Sequence, residues 1–361
     1  MIQRGVAAGE KRLSNWFLGV AARAFVAGLA IAPLATLSTA SAQDAKPSWF
    51  DQTLADAARK EGSLVVYSTT NEEEGLPLWK PFEDATGVKV NYVRASDSQL
   101  LGRVLIENRA GQHSWDLMQT ANVNKIPREF LLQTDLPEAG KLIKEAIDPE
   151  RRWYGVYSNY NSPAYNTKLV KREDLPKSYE DFANHKEWAG HVAIDGTDDA
   201  FMTAILMHYG EDKGVALLKK IIAAVQPVTI NGHLAVARAV GSGEYWFALN
   251  NYVNLTLNAK IGGAPTDFWT MDPIPLFFGQ VGIATLAPHP AAAKLAANFL
   301  ISREAQGFLT KFGRIPTRPD VTPNPPDIFE AFKGKTVQTV LLSTEEDRRR
   351  IKQFNDLFAP R

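Results

Sequence analysis

The 361-residue chain contains no cysteine. That single absence excludes disulfides, thiolate metal sites, cysteine nucleophiles and a lipid-modified amino-terminal cysteine. A chain of this size buries enough surface to fold without covalent staples, so export is compatible with the lack of cysteine. No charge of one sign dominates either, with 40 Lys and Arg against 40 Asp and Glu. Nucleic-acid binding, which favours a basic face, is not expected. The apolar run from Phe25 to Ser38 is about 14 residues, short of the roughly 20 that a spanning helix needs. Neither His-Glu-x-x-His nor Gly-x-Ser-x-Gly occurs, and the six histidines have no metal-ligand spacing in sequence. No enzyme chemistry, metal or cofactor is expected.

The first segment reads as a targeting signal rather than as fold. Arg4, Lys11, Arg12 and Arg23 form a basic leader, the apolar run follows, and Ala40-Ser41-Ala42 has the small-x-small pattern of a secretory cleavage site. Residues 1–42 are therefore expected to be a cleaved signal peptide and the mature protein to be exported. Removing that leader leaves a mature chain near −3.

Beyond it, strands and helices alternate. Ser63-Leu64-Val65-Val66-Tyr67-Ser68 is a buried strand run, and Thr69-Thr70-Asn71-Glu72-Glu73-Glu74 combines helix caps with first-turn acids. A helix to Ala85 and an alternating run from Val88 to Val93 complete a βαβ unit. Ser96–Arg109 predicts a helix and Ser114–Gln119 a third strand. The alternation of aromatic and polar residues from Trp153 to Val170 predicts two extended passes and a crossing between lobes. Asn159, Asn161, Ser162 and Asn166 within it read as turn formers. A strand ending at Asp195 meets a helix starting near Ala200, so Asp198 and Asp199 sit where caps belong. They are also placed to receive a positive charge. Met271-Asp272-Pro273-Ile274-Pro275 predicts a rigid crossing back, followed by a strand over Gly282–Leu286.

The stretch from Asn231 to Ala264 is the most informative. An amphipathic helix breaks at Gly241-Ser242-Gly243, and Glu244–Leu249 predicts a core strand that delivers Asn250-Asn251-Tyr252-Val253-Asn254 to its carboxyl end. Ligands in open α/β sheets sit outside such ends. A loop whose asparagines merely cap backbone groups is the plainer alternative.

Several motifs in order resemble the periplasmic solute-binding proteins of bacterial ABC importers, in particular the ferric-iron-binding group. They are Glu61–Tyr67, Phe82–Val90, Tyr165–Val170, Trp188-Ala189-Gly190, Ser242-Gly243-Glu244, Ala287-Pro288-His289-Pro290 and Gly313–Arg318. The resemblance implies an α/β, two-lobed periplasmic binding protein fold of type 2. Each lobe would be a mostly parallel sheet flanked by helices, and a hinge would join them. The lobes would comprise 43–165 plus 276–318, and 166–275 plus 319–361. It further implies a periplasmic monomer that captures a small ligand and hands it to an ABC permease. Of the adjacent tyrosines typical of the iron binders, Tyr252 is kept and Val253 replaces the other, while Asn71 and Ala121 fall near the histidine and carboxylate positions. Hard ferric iron wants several anionic oxygens, so a small cationic or polar organic solute is the expected ligand. The residues expected to line the cleft are Thr70, Asn71, Glu72, Asp198, Asp199, Asn251 and Tyr252, with Tyr252 the metal ligand if iron binding is retained. An altered ferric site, or a secreted enzyme on the same scaffold, are the alternatives.

Overall fold

The computed structural model describes residues 46–342 and 344–358. The expected signal peptide lies outside the described residues. Eleven strands run in chain order: β1 (Ser63–Ser68), β2 (Lys89–Arg94), β3 (Leu117–Thr120), β4 (Trp153–Asn166), β5 (Val192–Asp195), β6 (Val228–Ile230), β7 (Phe247–Tyr252), β8 (Thr266–Phe268), β9 (Ile274–Ile283), β10 (Ile315–Pro316) and β11 (Val337–Thr339). The main order is β2-β1-β3-β9-β4-β7-β5-β6, with β8 and β10 added on β4 and β11 on β9. Parallel pairs β1·β2, β1·β3, β5·β6 and β5·β7 lie on the two sides, and antiparallel β9 and β4 join them. This is an α/β fold with helices flanking a mixed sheet, in which five strand pairs are parallel and five antiparallel rather than mostly parallel as expected.

Residues Trp153–Asn166 form one continuous buried strand, not two passes with turns between them. β4 pairs with β9 from Trp153 to Tyr160 and with β7 and β8 from Asn161 onward. Its asparagines are therefore held by strand partners, Asn159 by β9, Asn161 by β7 and Asn166 by β8, which overrides their turn preference. β9 likewise begins at Ile274, so the proline-flanked crossing runs straight into a ten-residue strand. Pro273 precedes the strand, and Pro275 is its second residue, ahead of the pairing with β4 that starts at Leu276. That strand ends at Ile283, so most of the expected Gly282–Leu286 strand lies beyond it.

Two large apolar cores accompany the two groups of strands. Trp49, Trp79, Phe82 and Phe299 pack edge to face in the first, with Trp49 and Phe299 ring centroids 4.9 Å apart. Phe182, Trp188, Phe247 and Trp269 do the same in the second, together with Phe354 and Phe358 of the Thr344–Phe358 helix. Each such side chain, fully buried, contributes about 1.5–3 kcal/mol relative to exposure. Among the described residues, no helix is long and apolar enough to cross a membrane.

Helices follow the carboxyl ends of several of these strands: Glu72–Thr86 after β1, Asp97–Arg109 after β2, Asp199–Tyr209 after β5, His233–Ser242 after β6 and Val253–Ile261 after β7. The strand expected over Glu244–Leu249 is shifted to Phe247–Tyr252, and a helix starts at Val253. Asn250–Tyr252 thus belong to a strand, and Val253 and Asn254 to a helix, so the alternative of a capped loop does not hold.

Candidate functional site

Because β5 and β7 are parallel neighbours, their carboxyl ends bring Asp195 and Asn250 side by side. Asn250 uses both ends of its amide. Its Oδ1 accepts from Asp195 N at 2.8 Å, and its Nδ2 donates to Asp198 Oδ2 at 2.9 Å. Asn161 on β4 donates to the same oxygen. The other oxygen of Asp198 caps the Asp199–Tyr209 helix by accepting from Phe201 N at 3.0 Å. Asp198 is thus both a helix cap and the centre of a buried polar cluster. The turn between the two acids needs a glycine, since a Cβ at Gly196 would lie 2.3 Å from Thr229 Cγ2.

His233 opens its helix and stands between the two acids. Its Nδ1 lies 3.5 Å from Asp195 Oδ2 and its Nε2 lies 3.5 Å from Asp198 Oδ2. These are ion-pair distances without hydrogen-bond geometry, and Nδ1 and Asp195 Oδ2 are both buried with no hydrogen-bond partner. Tyr252 stacks on the imidazole, ring centroids 3.8 Å apart, with Phe277 beyond it at 6.2 Å. Burial holds the Tyr252 phenol well above its ordinary range, and the charges of Asp198, Asp97 and Asp195 push the same way. Burial also raises the Asp198 carboxyl, against the pull of His233. Asp199 is pushed up to about 7 by burial, with Lys125 opposing the rise and Asp347 and Asp198 adding to it.

The facing wall comes from the first group of strands. Thr70 is buried after β1, with its Oγ1 3.5 Å from the Tyr157 hydroxyl. Arg314 lies over the Tyr157 ring at 4.5 Å and is paired with Glu74 through Nε (2.9 Å) and Nη2 (3.3 Å). Burial works against the guanidinium charge, but Tyr157 and Glu74 outweigh it and hold Arg314 above its ordinary value. Asp97, at the start of its helix, accepts from Thr120, and burial raises its carboxyl. The influence of Asp97 and Tyr157 on Tyr252, and of Tyr252 on Arg314, ties the two walls into one electrostatic unit.

Of the residues expected from the sequence, the structure brings Asp198 and Tyr252 together, with Asp199 adjoining and Thr70 on the opposite wall. Asn71 instead accepts from Arg94 Nη2 at 3.2 Å, and Glu72 is exposed on the first helical turn. The buried acid of that run is Glu74. Asn251 alternates to the other side of β7, where its Nδ2 donates to Thr256 Oγ1 at 3.0 Å. Its Oδ1 has no partner. His233, Asp195 and Arg314, which the sequence does not single out as site residues, complete the cluster with Asn250, expected at this strand end, and Asn161, expected in a turn.

Iron can be tested against these donors. Val253 is fully buried inside a helix and the first core, so the position beside Tyr252 cannot be a ligand. The two nitrogens of His233 face different carboxylates and do not converge on one point. Among the described residues, no group of three or more His, Asp and Glu could hold a metal ion.

A second constellation lies at the amino-terminal ends of β1 and β3. Ser63 Oγ is 3.0 Å from His289 Nε2, and His289 Nδ1 is 2.8 Å from Asp116 Oδ2, the order of a nucleophile triad. The chemistry needs free amides for an oxyanion, and this helix start has none. Pro290 lacks an N–H, Ala291 and Ala292 donate to Glu61 at 3.1 and 2.8 Å, and Ala293 donates to the His289 carbonyl. Asp116 also accepts from Val65 N and His289 N, both at 2.7 Å. It acts as a clasp between two strands and a helix. Asp116→Asn is expected to cost about 1–3 kcal/mol in urea unfolding, because one of its oxygens becomes a donor facing donors. A fluorophosphonate probe is expected to leave Ser63 unlabelled; labelling at the rate of a serine hydrolase would contradict the clasp.

The profile of the bacterial extracellular solute-binding protein family matches residues 117–338. The chain is 24% identical over 290 residues to "Iron uptake protein A1" of Synechocystis sp., covering 72% of this chain and 77% of that protein. It is 28% identical over 317 residues to a "Putative 2-aminoethylphosphonate-binding periplasmic protein" of Salmonella typhimurium, covering 81% and 86%. Among solved structures, the substrate binding protein of the ABC transporter from Agrobacterium tumefaciens superposes with a TM-score of 0.72 at 16% identity, covering 82% of this chain and 96% of that one.

Proposed function

The chain belongs to the family of bacterial extracellular solute-binding proteins, and we propose that it captures a small amine-bearing organic solute between two lobes and delivers it to an ABC permease. The observation that carries the ligand class is the cluster of Asp195 and Asp198, buried beside Tyr252 with the His233 ring between them. Buried carboxylates demand compensation, and an ammonium group supplies both charge and hydrogen-bond donors. The aromatic face of Tyr252 adds cation–π attraction. More unpartnered acceptors than donors gather nearby: Asn161 Oδ1, Asp195 Oδ2 and Asp199 Oδ2 against His233 Nδ1. The Salmonella relative named for 2-aminoethylphosphonate suggests a concrete candidate, since that molecule carries an ammonium end.

The lobes of this reading meet where strand partners change, near Tyr160-Asn161 on β4 and again between β8 and β9. The first lobe would then run from the start of the mature chain to Tyr160 and take in 274–332, because Ile328 and Phe332 pack in the first core. The second would comprise 161–273 and the Thr344–Phe358 helix. Closure of such lobes over a ligand is the usual signal to a permease.

Isothermal titration of the purified chain with 2-aminoethylphosphonate, ethanolamine and ferric citrate tests the reading. Saturable heat with an amine is expected. Absence of heat with every amine, together with a visible tyrosinate-to-iron band on adding iron, would replace this reading with an altered ferric site.

A further inference from the structure

We propose that Lys125 is a positioning residue for capture: its ion pair with Asp347 latches the two lobes together and sets how slowly a bound solute leaves. The inference takes the two lobes from the reading above and does not depend on the ligand class.

The two partners are anchored in different lobes. Lys125 ends the short turn Val123–Lys125 that follows β3, and Val123 is fully buried in one cluster with Tyr67 and Trp115. Asn124 N donates to Gln280 Oε1 on β9 at 2.9 Å, which fixes the same turn a second time. Asp347 stands in the first turn of the Thr344–Phe358 helix, whose Phe354 and Phe358 pack in the second core and whose Arg350 donates to Glu211 Oε1 at 2.8 Å. The pair of Lys125 Nζ with Asp347 Oδ1 therefore spans the division between the lobes, and the two side chains are only 16% and 10% exposed. The buried pairs Glu74–Arg314 and Glu138–Arg318, by contrast, each lie within the first lobe. A neighbouring bond follows the same path as the latch, since Asn124 Nδ2 donates to Leu342 O at 3.3 Å, just ahead of that helix.

Lys125 also lies where charge from both lobes converges. It opposes the rise of the Asp97 carboxyl on its own lobe and of the Asp199 carboxyl on the other. Opening the lobes would return both partners of the pair to water, where an ion pair contributes little. With the lobes closed, removing one partner leaves the other charge buried without this counter-charge, a cost that falls on closure alone. That asymmetry makes the latch act on release rather than on encounter. A solute enters while the lobes are apart, before the pair forms, and leaves only after it breaks.

Stopped-flow dissociation of 2-aminoethylphosphonate from the whole chain, followed by tryptophan fluorescence, tests the latch together with small-angle scattering of the ligand-free chain. Lys125→Met and Asp347→Asn are each expected to speed dissociation at least about tenfold and to change the association rate less than about threefold. The double variant should dissociate no faster than the quicker single one, because the two side chains act as a unit. Lys125→Arg keeps the charge and should stay within about threefold of wild type. Lys80→Met, which breaks an exposed pair with Asp84 inside one lobe, should change nothing. Dissociation unchanged in Lys125→Met, additive losses in the double variant, or a Lys125→Arg or Lys80→Met variant as fast as Lys125→Met overturns the latch and leaves the amine reading standing. If wild type binds no amine, the amine reading falls and scattering decides the latch by itself. The radius of gyration, about 20 Å for a compact body of this length, should then be larger in Lys125→Met than in wild type, and an equal value in the two proteins overturns the latch as well.

Discussion

Replacing Glu74 by alanine is expected to destabilise the protein by about 3–5 kcal/mol, measured by urea unfolding at pH 7. Glu74 and Arg314 are joined by two hydrogen bonds of 2.9 and 3.3 Å, and their side chains are 4% and 8% exposed. The loss does not measure the worth of the pair, because most of it comes from the guanidinium left behind. Arg314 would keep Asn159 Oδ1 at 3.4 Å and the Tyr157 ring, neither of which carries a negative charge. Arg314 is itself only 7% exposed and directly precedes β10, which pairs with β4. Combining Glu74→Leu with Arg314→Met removes both charges, and that double variant is expected to recover most of the stability. A cost below about 1 kcal/mol for Glu74→Ala would mean that the arginine finds solvent and that this wall is looser than its burial indicates. The same double variant separates folding from capture, since it alters the wall opposite Tyr252 and leaves Asp195, Asp198 and His233 untouched.

The legibility of this molecule in its sequence follows from how far each interaction reaches along the chain. β1, its helix and β2 were readable because their periodicity and caps are local, within about 30 residues. The aromatic strand near residue 247 was readable too, although its register slipped by three residues: Trp246 and Tyr245 are as strand-prone as Phe247, and only pairing with β4 decides which are included. β4 was misread because its asparagines favour turns when considered alone. Strand partners, β9 at Asn159, β7 at Asn161 and β8 at Asn166, hold them extended. The site divides in the same way. Asp198 and Tyr252 announce themselves at the end of a strand, whereas Asn161 and Asn250 become polar anchors only once β4, β5 and β7 are side by side. His233 looked like one more residue of an amphipathic helix. What gives it a role is the parallel arrangement of β5 and β6, which sets the start of its helix beside Asp195. The Ser63–His289–Asp116 clasp spans 226 residues between serine and histidine, so no spacing rule could find it.

Asp198→Asn is expected to lower amine affinity at least 100-fold, about 2.7 kcal/mol, in calorimetry at pH 8. Asp198 gathers more of the cluster than any other residue. Asn161, Asn250 and Phe201 N all donate to it, and His233 lies 3.5 Å away. The substitution keeps the volume and, through Oδ1, the cap on the helix, so folding should lose only about 1–2 kcal/mol. What changes is the other oxygen. An amide nitrogen there would point donors at the donors of Asn161 and Asn250, and the negative charge that compensates the ammonium would be gone. Asp199→Asn is the matched control, identical in formal charge change and one residue away. Because the Asp199 carboxyl is already pushed up to about 7, it is largely ionised at pH 8 but only partly so near neutrality. If Asp199 merely favours its helix as a first-turn acid, the control should lose less than about fivefold at either pH. Equal losses for the two variants would mean that the site senses total negative charge rather than the carboxylate of Asp198, and the ligand would then have to be placed nearer Lys125 and Asp347, the charged groups that act on Asp199.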